Sequence, residues 1–163
     1  MEKQVPIAKI MTKPVITVGP NDALAKAETL FKKYHIRHIP VVEGKEIIGM
    51  LSYTDLLRIS FADAVDLEQS KVDESVYAMF NIKQVMAKDV ISVSPEASIQ
   101  AVAHFLTQKE FHALPVVSNN RLVGILTTTD IIRYLLSQYE RTRIASPISE
   151  CPKRPKQGQS EVV

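Results

Sequence analysis

The sequence predicts an α+β protein built from two repeated units, each with the element order β-α-β-β-α. A stretch running from glycine to aspartate, Gly49–Asp55, returns later in the chain as Gly124–Asp130. The same shift in numbering, which carries Gly49 onto Gly124, aligns the two copies without a gap, and fifteen positions between Ile7 and Arg58 are identical to their shifted counterparts. Because each unit alone is too small to bury a comfortable core, we expect the two units to pack together about a pseudo-twofold axis.

The hydrophobic pattern of the first copy predicts its elements in order. Residues 15–18 indicate a short opening strand, followed by a helix with Asp22 as its cap and apolar residues at helical spacing as far as Tyr34. Residues 39–42 and 46–51 indicate two strands joined by a hairpin turn. A second helix is expected directly after the second strand.

The repeat also sets the predicted domain organisation. We place the first unit at residues 7–62 and the second at residues 82–139. Between them, residues 63–81 form an acidic connector with five acidic residues and one lysine, which is typical of a solvated linker. The prolines of residues 145–163 predict a disordered tail.

Composition and charge exclude several classes of protein. The net charge is +2, and the residues beyond Tyr139, with five basic and three acidic side chains, account for all of it. The rest of the chain is neutral, so its charge does not indicate nucleic-acid binding. No apolar run reaches the roughly 18 residues of a membrane helix, and the first residues lack the apolar segment of a signal peptide. We therefore expect a cytoplasmic protein without membrane contact. The single cysteine, Cys151, allows neither an internal disulfide nor a cysteine-based metal cluster.

Each Gly-to-Asp stretch predicts a strand, a tight turn and the start of a helix. Each turn carries a hydroxyl cluster and a carboxylate, and the candidate residues are Ser52, Thr54 and Asp55 in the first copy and Thr127, Thr129 and Asp130 in the second. Free N–H groups at a helix start attract anions, hydroxyls can donate to phosphate oxygens, and a carboxylate can accept from a diol such as ribose. The combination therefore fits a sugar phosphate. The alternative is structural, with Thr54 or Thr129 capping the helix and the aspartates at the positive end of its dipole.

The histidines do not indicate an enzyme. His35, His38, His104 and His112 fall into no pattern that catalysis or metal binding requires, and the chain contains no HExxH helix, Walker loop or nucleophile elbow. His35 and His38 straddle a helix-to-strand junction, which favours packing or surface roles. We therefore interpret the chain as a ligand-sensing module without catalytic activity or cofactor, and a ligand-independent dimerisation or scaffold module is the alternative.

With the repeat established, the chain resembles a tandem pair of CBS (cystathionine-β-synthase) domains, also called a Bateman module, over about residues 7–139. The resemblance is carried by the openings Ile10-Met11-Thr12 and Val85-Met86-Ala87, by the strands Ile39-Pro40-Val41-Val42 and Leu114-Pro115-Val116-Val117, and by the two Gly-to-Asp stretches. It implies two clefts at the boundary between the units that take adenosine compounds. It also implies a homodimer that forms a flat disc and buries the outer helices, and regulation of an unknown effector protein.

The resemblance assigns residues of both units to each cleft. One cleft would combine Thr127, Thr129, Asp130 and His112 with Ile36 and the backbone of residues 13–16, including Ile16. The other would combine Ser52, Thr54, Asp55, Arg37 and His38 with Phe111 and residues 88–91, including Ile91. In these roles the aspartates hold ribose hydroxyls, the Ser and Thr side chains hold phosphate, and the strand backbone meets the adenine edge.

The two clefts are expected to differ in charge. Arg37 and His38 precede the strand of the first unit, whereas the equivalent positions of the second unit are His112 and Ala113. Because a guanidinium is a fixed charge suited to phosphate oxygens, we expect the Asp55 cleft to take the more anionic ligand. AMP, ADP, ATP, S-adenosylmethionine and cyclic dinucleotides all remain compatible with the turn chemistry.

Overall fold

The structure, a computed structural model, describes residues 4–62, 80–109 and 111–142. The first unit contains a 3-10 helix (Ile7–Lys9), α1 (Leu24–Tyr34), β1 (His38–Glu43), β2 (Glu46–Ser52) and α2 (Tyr53–Ala62). The second contains α3 (Ile82–Val85), α4 (Ile99–Gln108), β3 (Ala113–Ser118), β4 (Arg121–Thr127) and α5 (Thr128–Thr142). Residues 63–79 of the predicted connector and the whole predicted tail lie outside the described residues.

The two hairpins have the same pairing in both units. Two small antiparallel sheets combined with helices confirm the predicted α+β class. Strands β1 and β2 pair antiparallel, as do β3 and β4, and Val41↔Gly49 corresponds to Val116↔Gly124. Both ladders shift register immediately after these pairs. The turns contain Gly44 at φ 63° in one hairpin and Asn119 and Asn120 at φ 49° and 59° in the other, residue types that tolerate positive φ.

The predicted opening strand of each unit is reduced to a single parallel bridge, Val18↔Val41 and Val93↔Val116. The Val18 N–H donates to the Pro40 carbonyl at 3.2 Å, and the Val42 N–H donates to the Val18 carbonyl at 2.9 Å. In a parallel ladder the next donors on either side would be residues 40 and 20. Both are prolines, which have no N–H, so the ladder stops after one residue.

The opening segment of each unit packs on the hairpin of the other. Thr12 and Ile125 exchange backbone hydrogen bonds at 2.8 and 3.1 Å, and Met50 and Ala87 do so at 2.9 Å. Two fully buried side chains are exchanged between the units in the same way. Ile7 packs in the core of the second unit, and Ile82 packs in the core of the first. This reciprocal packing holds the opening segments against the helix starts of the opposite unit.

The start of α1 differs from the prediction. Its N-cap is Ala23, which has no side-chain cap. The Asp22 carboxylate instead accepts the Gly19 N–H at 2.8 Å and pairs with Lys26 at 2.7 Å. Asp22 therefore stabilises the turn before the helix and pairs along its first turn, without acting as its cap.

Candidate functional site

The two hydroxyl-aspartate turns form the same hydrogen-bonded box. Ser52 Oγ accepts the Asp55 N–H at 3.1 Å, while Asp55 Oδ2 accepts the Ser52 N–H at 3.1 Å and its hydroxyl at 2.6 Å. Thr127 and Asp130 repeat these contacts at 3.3, 2.8 and 2.6 Å. This is the reciprocal logic of a capping box, which satisfies free donors at the helix start. The capping interpretation is thus correct in kind, but the capping hydroxyl lies two residues before the predicted Thr54 and Thr129, which are both exposed.

The box occupies only one oxygen of each carboxylate, and the second oxygen distinguishes the two turns. Asp55 Oδ1 lies 3.9 Å from Arg58, and the Asp55 side chain is 30% exposed. Asp130 Oδ1 lies 3.7 Å from Arg133 and accepts the Thr12 hydroxyl at 3.3 Å, and the Asp130 side chain is 7% exposed. The position equivalent to Thr12 in the other unit is Ala87, which has no hydroxyl. Asp55 is therefore the more accessible acceptor.

Asp55 opens into a cavity of about 180 Å³ at the boundary between the units. The first unit lines it with His38, Met50, Ser52 and Asp55, and the second with Ala87, Asp89, Val90, Ile91, Phe111, His112, Ala113, Leu114 and Pro115. Five residues expected in this cleft therefore lie around one cavity: His38, Ser52, Asp55, Ile91 and Phe111. The arrangement places the Asp55 carboxylate opposite a wall that is mostly apolar but also carries Asp89 and His112.

Arg37 and Thr54 are not among the residues that line the Asp55 cavity. His38 pairs directly with Ser52 across the ladder, so their side chains share one face of the hairpin. Arg37 is one residue earlier and lines a different cavity with Tyr53. The fixed charge expected from Arg37 is thus missing from the lining of the Asp55 cavity, while His112, expected in the other cleft, is present there.

The groove at Asp130 is larger, about 770 Å³, and lies between the N-terminal segment and α5. It is lined by Val5, Lys9, Ile10, Thr12, Asp130, Arg133, Tyr134, Ser137 and Gln138. Asp130 is the one residue of the expected set in this lining, which lacks Ile16, Ile36, His112, Thr127 and Thr129. Thr127 contributes through its hydrogen bonds to Asp130.

Sequence reasoning missed the cations of the Asp130 groove, Lys9 and Arg133. A signal was available for one of them, since Arg133 repeats Arg58 three residues after each aspartate, which places it one helical turn from the carboxylate. Lys9 has no counterpart in the other copy, where the position is Gln84. The groove therefore carries the positive charge that was expected at Asp55.

The environment of His38 disfavours its charged form. Burial lowers the pKa of His38, and the nearby charges of His112 and Arg37 lower this pKa further, while the Asp55 carboxylate opposes the shift. Two histidines from opposite units thus face the same cavity, and the neutral form of His38 is favoured in the empty site.

We expect this histidine to make folding sensitive to acid. Because the pKa of His38 is lower in the folded than in the unfolded chain, the unfolded chain binds the additional proton first as the pH falls from about 7 to about 5, and stability declines in that window. In thermal melts, His38→Gln should show a smaller loss of Tm between these pH values than the wild type. His104→Gln, at an exposed position on α4, serves as the control and should behave as the wild type. An unchanged pH dependence in His38→Gln would contradict this expectation.

Two further properties of the described residues bear on function. Within ranges 4–62, 80–109 and 111–142, no three His, Cys, Asp or Glu side chains are grouped so that they could hold a metal ion. None of the helices in the same ranges is both long and apolar enough to cross a membrane.

A family model identifies the protein family to which this chain belongs. The family model of the CBS domain matches the chain twice, at residues 7–62 and 82–137. The chain belongs to the CBS domain family. The second matched range begins at Ile82, which is the counterpart of Ile7 in the repeat, so the protein contains a tandem CBS pair.

One curated relative of this CBS pair is similar over most of both chains. The CBS domain-containing protein YhcV of Bacillus subtilis is 32% identical over 121 residues, which are 74% of this chain and 79% of YhcV. Other relatives are longer, and the chain spans between 14% and 46% of their lengths. They include two inosine-5′-monophosphate dehydrogenases, of which the chain spans 26% and 22%.

Two solved CBS structures share the fold and contain adenosine compounds. The CBS pair of protein MJ0100, in complex with 5′-methylthioadenosine and S-adenosyl-L-methionine, has a TM-score of 0.69 and 23% identity, covering 83% of this chain and 99% of that one. CBSX2 in complex with AMP has a TM-score of 0.68 and 21% identity, covering 82% and 98%. At these identities the likeness shows the fold alone.

Proposed function

We propose that this CBS pair is a regulatory module that binds an adenosine-containing ligand in the Asp55 cavity and signals its occupancy to a partner protein. The observation that carries the proposal is the accessible carboxylate of Asp55, which shares a cavity with apolar side chains of the opposite unit, among them Ile91 and Phe111. The adenosine compounds in the structures of MJ0100 and CBSX2 support this choice of ligand class. We propose no catalytic role for the pair.

The chemistry of the cavity suits adenosine. Asp55 Oδ1 accepts hydrogen bonds from the ribose hydroxyls, because Oδ2 is already committed to the Ser52 box. Ile91 and Phe111 offer apolar surface to the adenine ring, and the backbone of residues 88–91 offers hydrogen bonds to its edge. At about 180 Å³ the cavity is smaller than the roughly 300 Å³ at the lower end for drug-sized ligands, so it accommodates the nucleoside while the remainder of the ligand extends outwards.

We also propose a second, weaker adenosyl site in the groove at Asp130. There, Lys9 and Arg133 meet the phosphate oxygens, and the exposed hydroxyl of Thr129 lies on the first turn of α5. The buried carboxylate of Asp130 already accepts the Thr12 hydroxyl, so it holds ribose less readily than Asp55 does. The charge of this groove favours AMP, ADP or ATP over S-adenosylmethionine.

A ligand screen tests the proposed function. The purified protein is denatured, and the released material is analysed by ultraviolet spectrum and chromatography. AMP, ADP, ATP, S-adenosylmethionine and 5′-methylthioadenosine are then added singly in thermal-shift measurements. A ligand at a hundred times its Kd should stabilise the fold by about 2.7 kcal/mol. If no adenosyl compound is released and none raises the Tm, the scaffold alternative is favoured.

We further propose a homodimer that covers the outer face of α5. Ile132, Leu135 and Leu136 are 54–58% exposed and recur at the spacing of one helical face. Contiguous exposed apolar side chains of this kind mark interaction surfaces, and a second copy related by a twofold axis would cover them with the same face.

The dimer interface leads to a test by substitution. Leu136→Glu should produce a monomer at micromolar concentration in light scattering, because a desolvated carboxylate on each protomer opposes association. Gln108→Glu, which adds a carboxylate at an exposed position on α4, serves as the control and should leave the dimer intact. A wild-type monomer, or a dimer that survives Leu136→Glu, would exclude this face as the interface.

A further inference from the structure

The cavity that Arg37 lines is separate from the Asp55 cavity. It has a volume of about 310 Å³ and is lined by Phe31, Lys32, His35, Ile36, Arg37 and Tyr53. Arg37 directly precedes β1, which begins at His38, and the two neighbouring residues line different cavities. Three of the six lining residues are basic and none is acidic.

The wall of this cavity is formed by packed aromatic rings and a hydrogen-bonded backbone. The rings of Phe31 and Tyr53 pack edge to face, with centroids 5.5 Å apart and planes inclined by 64°. The Arg37 carbonyl accepts the Tyr53 N–H at 2.9 Å, which fixes the backbone of Arg37 to the start of α2. The cationic side chains therefore lie beside a packed aromatic wall.

The conformation of His35 is unusual for a residue with a side chain. His35 is the C-cap of α1 and adopts the left-handed conformation at φ 52°, a position where glycine is the usual residue. The fold would thus accept glycine here at least as well. Keeping an imidazole at this position places a third basic group on the rim of the cavity.

Charge neutralisation inside the protein accounts for one member of the cluster but not for the other two. Lys32 pairs with Glu28 at 2.7 Å on the exposed side of α1. Among the residues that the structure describes, no carboxylate forms an ion pair with His35 or Arg37. The cavity therefore has positive charge available to an external anion.

The helix dipole does not require the cluster either. Basic side chains near the end of α1 complement its negative pole. The equivalent helix α4 ends without a basic residue in its last turn, however, and the positions that match Lys32 and His35 are Thr107 and Glu110. Since the second unit adopts the same fold without these cations, the fold does not demand them in the first.

We propose that this cavity is a binding site for a small phosphate-bearing anion, distinct from the adenosyl clefts. The Arg37 guanidinium provides the fixed charge, with its fork suited to two phosphate oxygens, while the Lys32 ammonium, which is paired with Glu28, and the imidazole of His35 add further donors. The cavity is large enough for a phosphate monoester or a diphosphate, and the aromatic wall offers surface for a small organic group.

Titration of the full chain with inorganic pyrophosphate tests the site, by calorimetry at low ionic strength. We expect binding that weakens at least tenfold in Arg37→Gln and to a smaller extent in Lys32→Gln, because Glu28 already offsets the Lys32 charge. Lys33→Gln is the matched control, because Lys33 lies over the ring of Tyr34 and does not line the cavity, and its affinity should equal that of the wild type.

His35→Gly separates binding from folding. Glycine suits the left-handed backbone, so this variant should melt no lower than the wild type while binding pyrophosphate several-fold more weakly. Asp55→Asn should leave pyrophosphate affinity unchanged, so the outcome here is independent of adenosyl binding. Absence of pyrophosphate binding by the wild type, or equal affinity in Arg37→Gln, would overturn the proposal.

Discussion

Gly49→Ala is expected to lower the free energy of unfolding by about 1–3 kcal/mol, the usual cost of adding a methyl group to a filled core. A Cβ at Gly49 would lie 2.3 Å from Sδ and 2.9 Å from Cγ of Met86, and 3.1 Å from the carbonyl oxygen of Ala87. Met86 is buried in the core of the first unit, and the Ala87 carbonyl is held by the Met50 N–H. Neither can move without breaking existing contacts. Urea denaturation of the wild type and the variant measures the difference.

The chain offers a matched control and a way to identify the cause. At Gly19 an added Cβ would come no closer than 3.7 Å to any residue other than its chain neighbours, so Gly19→Ala should change stability by less than about 1 kcal/mol. In a Met86→Ala background, Gly49→Ala should cost much less than in the wild type, because the clashing atoms are gone. An equal cost in both backgrounds would show that Met86 is not responsible.

The contact between Gly49 and Met86 also bears on ligand binding. Ala87 and Asp89, which line the Asp55 cavity, follow Met86 in the chain, so the packing of this methionine positions one side of the cavity. The second unit has the same arrangement, with Met11 Sδ 2.5 Å from a Cβ at Gly124. A methyl group added at either glycine should therefore destabilise the core and weaken ligand binding in the adjacent cleft.

Much of the fold could be predicted because the two copies confirm each other. A single gapless shift fixes equivalent glycines, prolines and aspartates, and the hairpins with their turns follow from local patterns. The exchange of Ile7 and Ile82 between the cores could not be derived in this way, because a hydrophobic pattern shows that a side chain is buried but not against which unit. The opening strand was overestimated because its apolar residues fit a strand, while the prolines that end its ladder are far apart in sequence.

The part of the site that is formed by one local turn could be predicted from the sequence. The assignment of residues to clefts was less accurate where it depends on the direction of a side chain. Ser52 and Asp55 are three residues apart and meet through a helix start, so their proximity follows from sequence. Arg37 and His38 were expected in one cleft, but these two neighbours at the entry to β1 line different cavities. The difference in exposure between Asp55 and Asp130 depends on Thr12, which is distant from Asp130 in the sequence.

The exposure of the two aspartates leads to the prediction that Asp55→Asn weakens binding of the tighter adenosyl ligand at least tenfold. The amide oxygen of asparagine can still accept from Ser52, so the helix start is retained. The second oxygen, however, is replaced by an NH₂ group that cannot accept from ribose hydroxyls. A hydrogen bond to a charged group contributes about 1.5–3 kcal/mol, which corresponds to at least a tenfold change in affinity. Calorimetry with the ligand found in the thermal screen measures the loss.

Asp130→Asn is the matched variant, since it makes the same chemical change in the equivalent box of the second unit. The Asp130 side chain is 7% exposed and already accepts the Thr12 hydroxyl. Because it lies outside the Asp55 cavity, we expect Asp130→Asn to change the affinity for the tighter adenosyl ligand by less than about threefold. Thermal melts of both variants separate lost folding from lost binding. If Asp130→Asn removes the tighter binding while Asp55→Asn preserves it, the ligand occupies the groove at Asp130 and the assignment of the two sites is reversed.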